Sequence, residues 1–201
     1  MFFKQIFDKK LAQYAYLIGC QATGEAIVID PMRDVDQYHK LAKSEGLEIT
    51  AAADTHIHAD YVSGLRELAA QGVKVYASDE GDEDWKYEWL LDSDYNYQLV
   101  TDGDSFSLGN IKFDVVHTPG HTPGGMCLYS PPHLFSGDTL FVGGVGRTDF
   151  PGGDTGQLLN SIQQRLFVLP PETVVWPGHG YGGSRSTIAD EKETNPYLTG
   201  L

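Results

Sequence analysis

The sequence predicts an α/β (α+β) domain in which two mixed β-sheets pack face to face with helices outside. Its 201 residues suit one domain, residues 1–201, and suffice to bury a proper core. Hydrophobic residues make up 41% and charged residues 21%, which excludes a disordered chain. Strand-like segments come in runs, each followed by helical segments, instead of alternating one to one as a parallel sheet requires.

MFFKQIF, YAYLIG and EAIVID read as short strands separated by the turn-forming DKK and QATG. DVDQYHKLAKSEG has helical spacing, with Asp34 as N-cap and Gly46 as the stop. LEITAAADTH reads as a buried strand, YVSGLRELAAQG as a short helix and KVYAS as a strand. The acidic DEGDEDWKYEWLLDSD, residues 79 to 94, reads as a solvated surface loop. IKFDVVHTPG, MCLYS and HLFSGDTLF give three more strands, and no internal repeat relates the two halves. TGQLLNSIQQRLFVL is an amphipathic helix, ETVVWPGHG a last strand, and STIADEKETN a short polar helix ending at Pro196.

A formal charge of −14, from 14 basic and 28 acidic side chains, argues against nucleic acid or anionic membrane as partners. Two cysteines, Cys20 and Cys127, make no disulfide framework. Cys127 reads as a small hydrophobe in its strand, and Cys20, before a turn, as packed or as a sulfur-accepting thiol. The start of the chain has no signal-peptide pattern, and no apolar run reaches membrane-spanning length. A reducing cytoplasm is the expected compartment.

Chemistry concentrates in four stretches where a strand ends: DTHIHADY, HTPGHTPGG, LFSGDTLF and WPGHGYGG. Such loops are where rigid scaffolds present functional groups. They hold His56, His58, His117, His121 and His179, five of the seven histidines. Taken singly, the HxH pair can be two polar residues on one strand face, Asp138 a turn cap, and His121 and His179 loop residues bonded to backbone. All four recurring together points to a metal site.

DTHIHADYVSG, TPGHTPGG, FSGDTLF, GRTDFPGG and PGHGYGG together resemble the metallo-β-lactamase fold, an αββα four-layer sandwich with metal between the sheet edges. GRTDFPGGD and the final ST-I-x-x-EK-x-x-NP-x-LT are most similar to the persulfide dioxygenases, with glyoxalase II as the relative of different chemistry. In the hydrolytic branch the first motif reads HxHxDH and serves two zinc ions. Here it reads Asp60-Tyr61, and a phenol with an ordinary pKa near ~10 stays protonated and substitutes poorly for imidazole.

The resemblance therefore implies one metal held by His56, His121 and Asp138. Two imidazoles and one carboxylate with open positions are the set expected for oxygen-activating non-haem Fe(II). His58, Asp60 and His179 then stand beside the metal or act as alternative ligands, and Tyr181 is positioned to hydrogen-bond bound sulfur or oxygen. The implied reaction oxidises a low-molecular-weight thiol persulfide with O2 to sulfite and free thiol, in sulfide detoxification. Arg147, Arg185 and Lys192 are the basic residues placed to meet the carrier's carboxylate or phosphate, although Arg147 can instead tie down its own loop. Glutathione-using members read NPR near the C-terminus where this chain reads NPY, which opens the choice to bacillithiol or coenzyme A. A rhodanese sulfurtransferase is an implied partner, and a homo-oligomer is compatible. The alternatives are a glyoxalase II-like thioester hydrolase using Zn(II), and a non-enzymatic persulfide sensor using Cys20.

Overall fold

The computed structural model describes residues 1–199. The first sheet has strands β1 (Phe2–Asp8), β2 (Gln13–Cys20), β3 (Glu25–Ile29), β4 (Glu48–Ala53), β5 (Lys74–Ser78) and β6 (Tyr97–Val100), paired in that order. β1 to β3 are antiparallel, and β3 to β6 run parallel. The helices α1 (Asp36–Ser44), α2 (Leu65–Ala70) and the single turn α3 (Glu88–Leu91) supply the crossovers that parallel strands require.

The second sheet comprises β7 (Ser105–Leu108), β8 (Ile111–His117), β9 (Met126–Ser130), β10 (His133–Gly137), β13 (Val174–Pro177) and β14 (Ser186–Thr187). Its spatial order is β14-β13-β10-β9-β8-β7, with only β10 and β13 parallel. A separate hairpin pairs β11 (Leu140–Phe141) with β12 (Gly144–Val145). α4 (Thr155–Ser161), continued by a π-helical turn at Ile162–Leu166, and α5 (Ile188–Thr194) complete the chain.

Side-chain alternation makes the four layers. β2 is buried along its whole length, so both of its faces are covered. Tyr14, Tyr16 and Ile18 point to the space between the sheets, where they meet Phe113, Phe135 and Trp176 of the second sheet. Ala15 and Leu17 point the other way, onto a cluster with Tyr38 of α1 and Leu65 and Leu68 of α2. On the far side Cys127, Leu134 and Val175 pack against Leu158 and Ile162. The order is helix, sheet, sheet, helix, as the sequence predicts.

Three local expectations change. Val35, not Asp34, occupies the N-cap of α1 and makes no side-chain cap bond, while Gly46 does follow the helix with φ +70°. Residues 97–100 and 105–108 form β6 and β7, which the sequence reading left out. The acidic segment 79–94 is anchored: Leu90 is fully buried, and Tyr87 and Trp89 pack on the cluster under the first sheet. Its aromatic side chains gain more from burial than its carboxylates lose, because the carboxylates stay at the rim.

Candidate metal centre

Strand ends bring the chemistry together. β4 stops at Ala53 and releases Asp54, Thr55 and His56; β10 stops at Gly137, just before Asp138; β13 stops at Pro177, before His179. The β8–β9 loop carries His121. One donor atom each from His56, His121 and Asp138 lies within 4.8 Å of the other two. Nε2 of His56 and Nε2 of His121 stand 4.0 and 3.6 Å from Oδ2 of Asp138. Gly178 is what lets the carboxylate sit there, since a Cβ at that position would overlap Asp138 Oδ1.

Hydrogen bonds assign the tautomers. His121 Nδ1 is 2.8 Å from the Arg147 carbonyl, which can only accept, so Nδ1 carries a proton and Nε2 is the nitrogen turned to the cluster. His56 Nδ1 is 3.0 Å from Thr55 Oγ1, which itself lies 2.9 Å from Asp30 Oδ2. A carboxylate accepts, so the Thr55 hydroxyl donates to Asp30 and receives the His56 Nδ1 proton. Burial first, then the neighbouring imidazoles of His58 and His121, hold His56 well below the usual histidine range, in the neutral form that binds metal. Two imidazoles, each turned Nε2 inward, and a carboxylate thus aim their donor atoms at one point, which fits a metal ion. Thr55→Val removes the relay and is expected to weaken metal affinity about 10- to 100-fold, read by competition with a chelating dye; Thr55→Ser should retain it.

His179 lies between two carboxylates, with Nδ1 2.9 Å from Asp138 Oδ1 and Nε2 2.9 Å from Asp60 Oδ2. Burial opposes its charge, but those two bonds prevail and raise it to about 10. Both ring nitrogens therefore donate, and the ring fixes Asp138 with Oδ2 free for the ligand cluster. His58 turns toward Asp30 and Asp54, with Nε2 3.3 and 3.8 Å from their Oδ1 atoms. These are ion-pair contacts without hydrogen-bond alignment. Burial again opposes charge, and Asp30 followed by Asp54 raises His58 to about 9.

In the metal-free protein these two imidazoles stabilise the fold fully below the unfolded histidine value near ~6.5, and that stabilisation is lost as pH rises through their folded values. The melting temperature of chelated protein should fall by roughly 5 °C or more between pH 6.5 and 10. A flat profile would contradict the charged pairing.

Tyr61 does not enter the ligand cluster. Its ring lies 4.4 Å from that of His58, and burial, then Asp30 and Asp54, push its phenol well up. Tyr87, from the acidic segment, donates to Asp54 Oδ2 at 2.5 Å, and Ser63 donates to Asp54 Oδ1 at 2.9 Å. The supporting residues Asp30, Thr55, Asp54 and Tyr87 were missed in the sequence. Asp30 and Thr55 carried a signal, each being a polar residue closing a buried strand run; Tyr87 carried none.

A cavity of about 600 Å³ opens beside the cluster. Asp60, His121, Asp138 and His179 form its floor side, and the β11–β12 hairpin, Tyr181 and Tyr197 form its walls. Tyr181 stacks on His179 at 5.0 Å with the rings nearly parallel. Of the three predicted substrate cations only Arg147 lines this cavity. Its guanidinium is engaged by Asp149 through bonds of 2.7 and 3.1 Å. Arg185 lies over Trp176 and Lys192 over Phe167, neither on the cavity wall. Lys192 is directed by α5 and Arg185 by the loop before β14, directions that proximity in sequence does not reveal.

Cys20 sits at the other end of β2 from Gln13, which bridges to His179. Seven residues of extended chain separate them by roughly 23 Å. The Thr23 side chain foremost lowers this thiol to about 7, yet it has no part in the cavity. Cys127 is buried as expected, and burial raises it to about 11.

The metallo-beta-lactamase superfamily pattern matches residues 9–179. The chain belongs to that superfamily. It is 35% identical, over 98% of its length and 75% of the relative's, to the mitochondrial persulfide dioxygenase ETHE1 of Bos taurus. A metallo-beta-lactamase from Staphylococcus aureus superposes with a TM-score of 0.93 at 42% identity, matching 100% of this chain and 63% of that one. This chain therefore spans less than two thirds of the staphylococcal protein. ETHE1 from Myxococcus xanthus superposes with a TM-score of 0.88 at 38% identity, over 98% and 84% of the two chains. Hydroxyacylglutathione hydrolases match as well, GloC of Haemophilus influenzae at 32% over 86% and 87%. Superfamily membership and the ligand cluster together indicate a metal-dependent enzyme. Among the described residues no helix is long and apolar enough to cross a membrane.

Proposed function

We propose that residues 1–201 form one catalytic domain, a persulfide dioxygenase that oxidises the terminal sulfur of a low-molecular-weight thiol persulfide in sulfide detoxification. One O2 and one water are consumed; sulfite, free thiol and two protons are released. The observation that carries this reading is the ligand cluster, in which two imidazoles and one carboxylate converge while His179 and His58 are engaged elsewhere. That donor set suits a single Fe(II), which when bound would supply an open seat for sulfur and pass to O2 the four electrons that the terminal sulfur loses on becoming sulfite.

The chain's own residues do the rest. His56 and His121 keep their Nδ1 protons on Thr55 and the Arg147 carbonyl, so both present the same nitrogen inward. His179 holds a proton between Asp138 and Asp60 and keeps the ligand carboxylate from turning. Tyr181, on the cavity wall against His179, offers its hydroxyl to a sulfur or oxygen entering from the solvent side. Arg147 contributes its carbonyl to His121 and gives its guanidinium to Asp149, which leaves carrier recognition to the apolar and aromatic walls.

The match to GloC favours a second reading, a glyoxalase II-like thioester hydrolase using Zn(II). Oxygen uptake with sulfite detection, on protein reconstituted anaerobically with Fe(II), discriminates the two. Sulfite formed in proportion to O2 at one iron per chain is the expected result. Two zinc ions per chain with thioester hydrolysis and no oxygen uptake would replace the dioxygenase reading.

A further inference from the structure

The closing motif around Glu191 and Asn195 has no part in the metal chemistry, yet both side chains are buried, at 1% and 0% exposure. Burying a carboxylate is costly unless every oxygen is bonded. Glu191 of α5 meets that demand with neutral partners: Gly143 N–H reaches its two oxygens at 3.2 and 3.0 Å, and Asn195 Nδ2 donates to Oε2 at 2.7 Å. The same Asn195 amide donates to Gly144 O at 3.1 Å, and its Oδ1 accepts from Tyr197 N–H at 3.1 Å. One side-chain pair therefore fastens Gly143 of the β11–β12 turn, Gly144 at the start of β12 and the backbone of Tyr197.

Those fastened parts are cavity wall. Phe141, Val142, Gly143, Gly144 and Val145 line it from the hairpin, and Tyr197 lines it from the C-terminal segment. The hairpin pairs with neither large sheet; buried Leu140 and Phe141 and the Ser136 Oγ bond to Leu140 O hold its β11 strand, and the Glu191–Asn195 pair holds its turn and β12 side. Short hydrogen bonds from N–H donors to a carboxyl group are directional and hold their donors in place.

We propose that Glu191 and Asn195 are positioning residues for substrate, locking the hairpin and Tyr197 into a wall that contacts the thiol carrier and not the reacting sulfur. This rests on the persulfide reading for its substrate, and it assigns carrier affinity to a buried network separate from the metal ligands.

The test uses the full iron-loaded chain and two probes: glutathione persulfide, bulky enough to reach the hairpin, and 2-mercaptoethanol persulfide, which is too short. In Glu191→Leu, KM for glutathione persulfide should rise about tenfold with kcat within about twofold, the pattern of lost uniform binding. Both constants for the short probe, and the iron content, should stay within about twofold of the unaltered chain. Glu191→Gln keeps an acceptor for Gly143 N–H and should recover most of the affinity. Amide hydrogen exchange at Gly143, fast in the leucine variant and slow in the glutamine variant, reads the clamp without turnover. Equal changes for both probes, or exchange at Gly143 as slow in the leucine variant as in the unaltered chain, would overturn the proposal. Should the unaltered chain turn over neither persulfide while the exchange pattern appears, the clamp stands and the dioxygenase reading is what fails.

Discussion

Replacing Asp138 with alanine is expected to abolish sulfite formation, by on the order of a thousandfold or more, with metal content falling below about a tenth of the unaltered level. The magnitude follows from the double duty of one carboxylate. Oδ2 faces Nε2 of both His56 and His121, and Oδ1 holds His179. Alanine removes the only anion of the ligand cluster and leaves a buried His179 with a single carboxylate, Asp60. Asp138→Asn separates the two parts. Its amide oxygen can still face the cluster, but an NH2 then meets a ring N–H of His179 or the metal, so metal should bind weakly and turnover should stay low. Elemental analysis with oxygen uptake checks both variants. Full iron occupancy in Asp138→Ala would move the ligand set elsewhere.

The second large effect belongs to a residue with no side chain. Gly120, one place before His121, has φ +132°, and a Cβ there would land on the backbone N and Cα of Leu158 in α4. Backbone cannot swing aside as a flexible side chain can. Gly120→Ala should therefore cost about 3 kcal/mol or more, a fall of roughly 6–12 °C in melting temperature. It should also loosen His121, whose loop rests on α4 through that contact and through Ser161 Oγ donating to Pro119 O at 2.8 Å. Gly103→Ala provides the control: φ is +81° but nothing lies within 4 Å of the added carbon, so only the conformational cost of about 1 kcal/mol is expected. Equal melting temperatures for the two variants would refute the close approach.

The ligand cluster was legible because its residues announce themselves locally. Each of His56, His121, Asp138 and His179 follows a strand end or a Pro-Gly turn, and a polar, metal-binding side chain is conspicuous beside a buried run. The resemblance to known motifs selected three of them as ligands. Tyr61 was legible only by what it lacks: its phenol makes a poor ligand, yet nothing in the sequence shows that its ring would settle against His58. The acidic segment misled for a different reason. Eight carboxylates in sixteen residues dominate its composition, whereas its placement is decided by Tyr87, Trp89 and Leu90, which find apolar partners on elements distant in sequence. Arg185 and Lys192 stand off the cavity wall, since nearness to a motif along the chain does not give the direction of a side chain.

By itself the sequence determined the layered fold, through runs of strands each followed by helical segments, and the concentration of metal-binding residue types at the strand ends. Only the tertiary structure decided which nitrogen each histidine presents, which carboxylates restrain His58 and His179, and which segments wall the cavity. Periodicity and turn chemistry are local properties, readable within about ten residues. Many of the deciding contacts join partners far apart in the chain, such as Thr55 with Asp30, 25 positions away, and His179 with Asp60, 119 away, and those partners meet only when the fold closes.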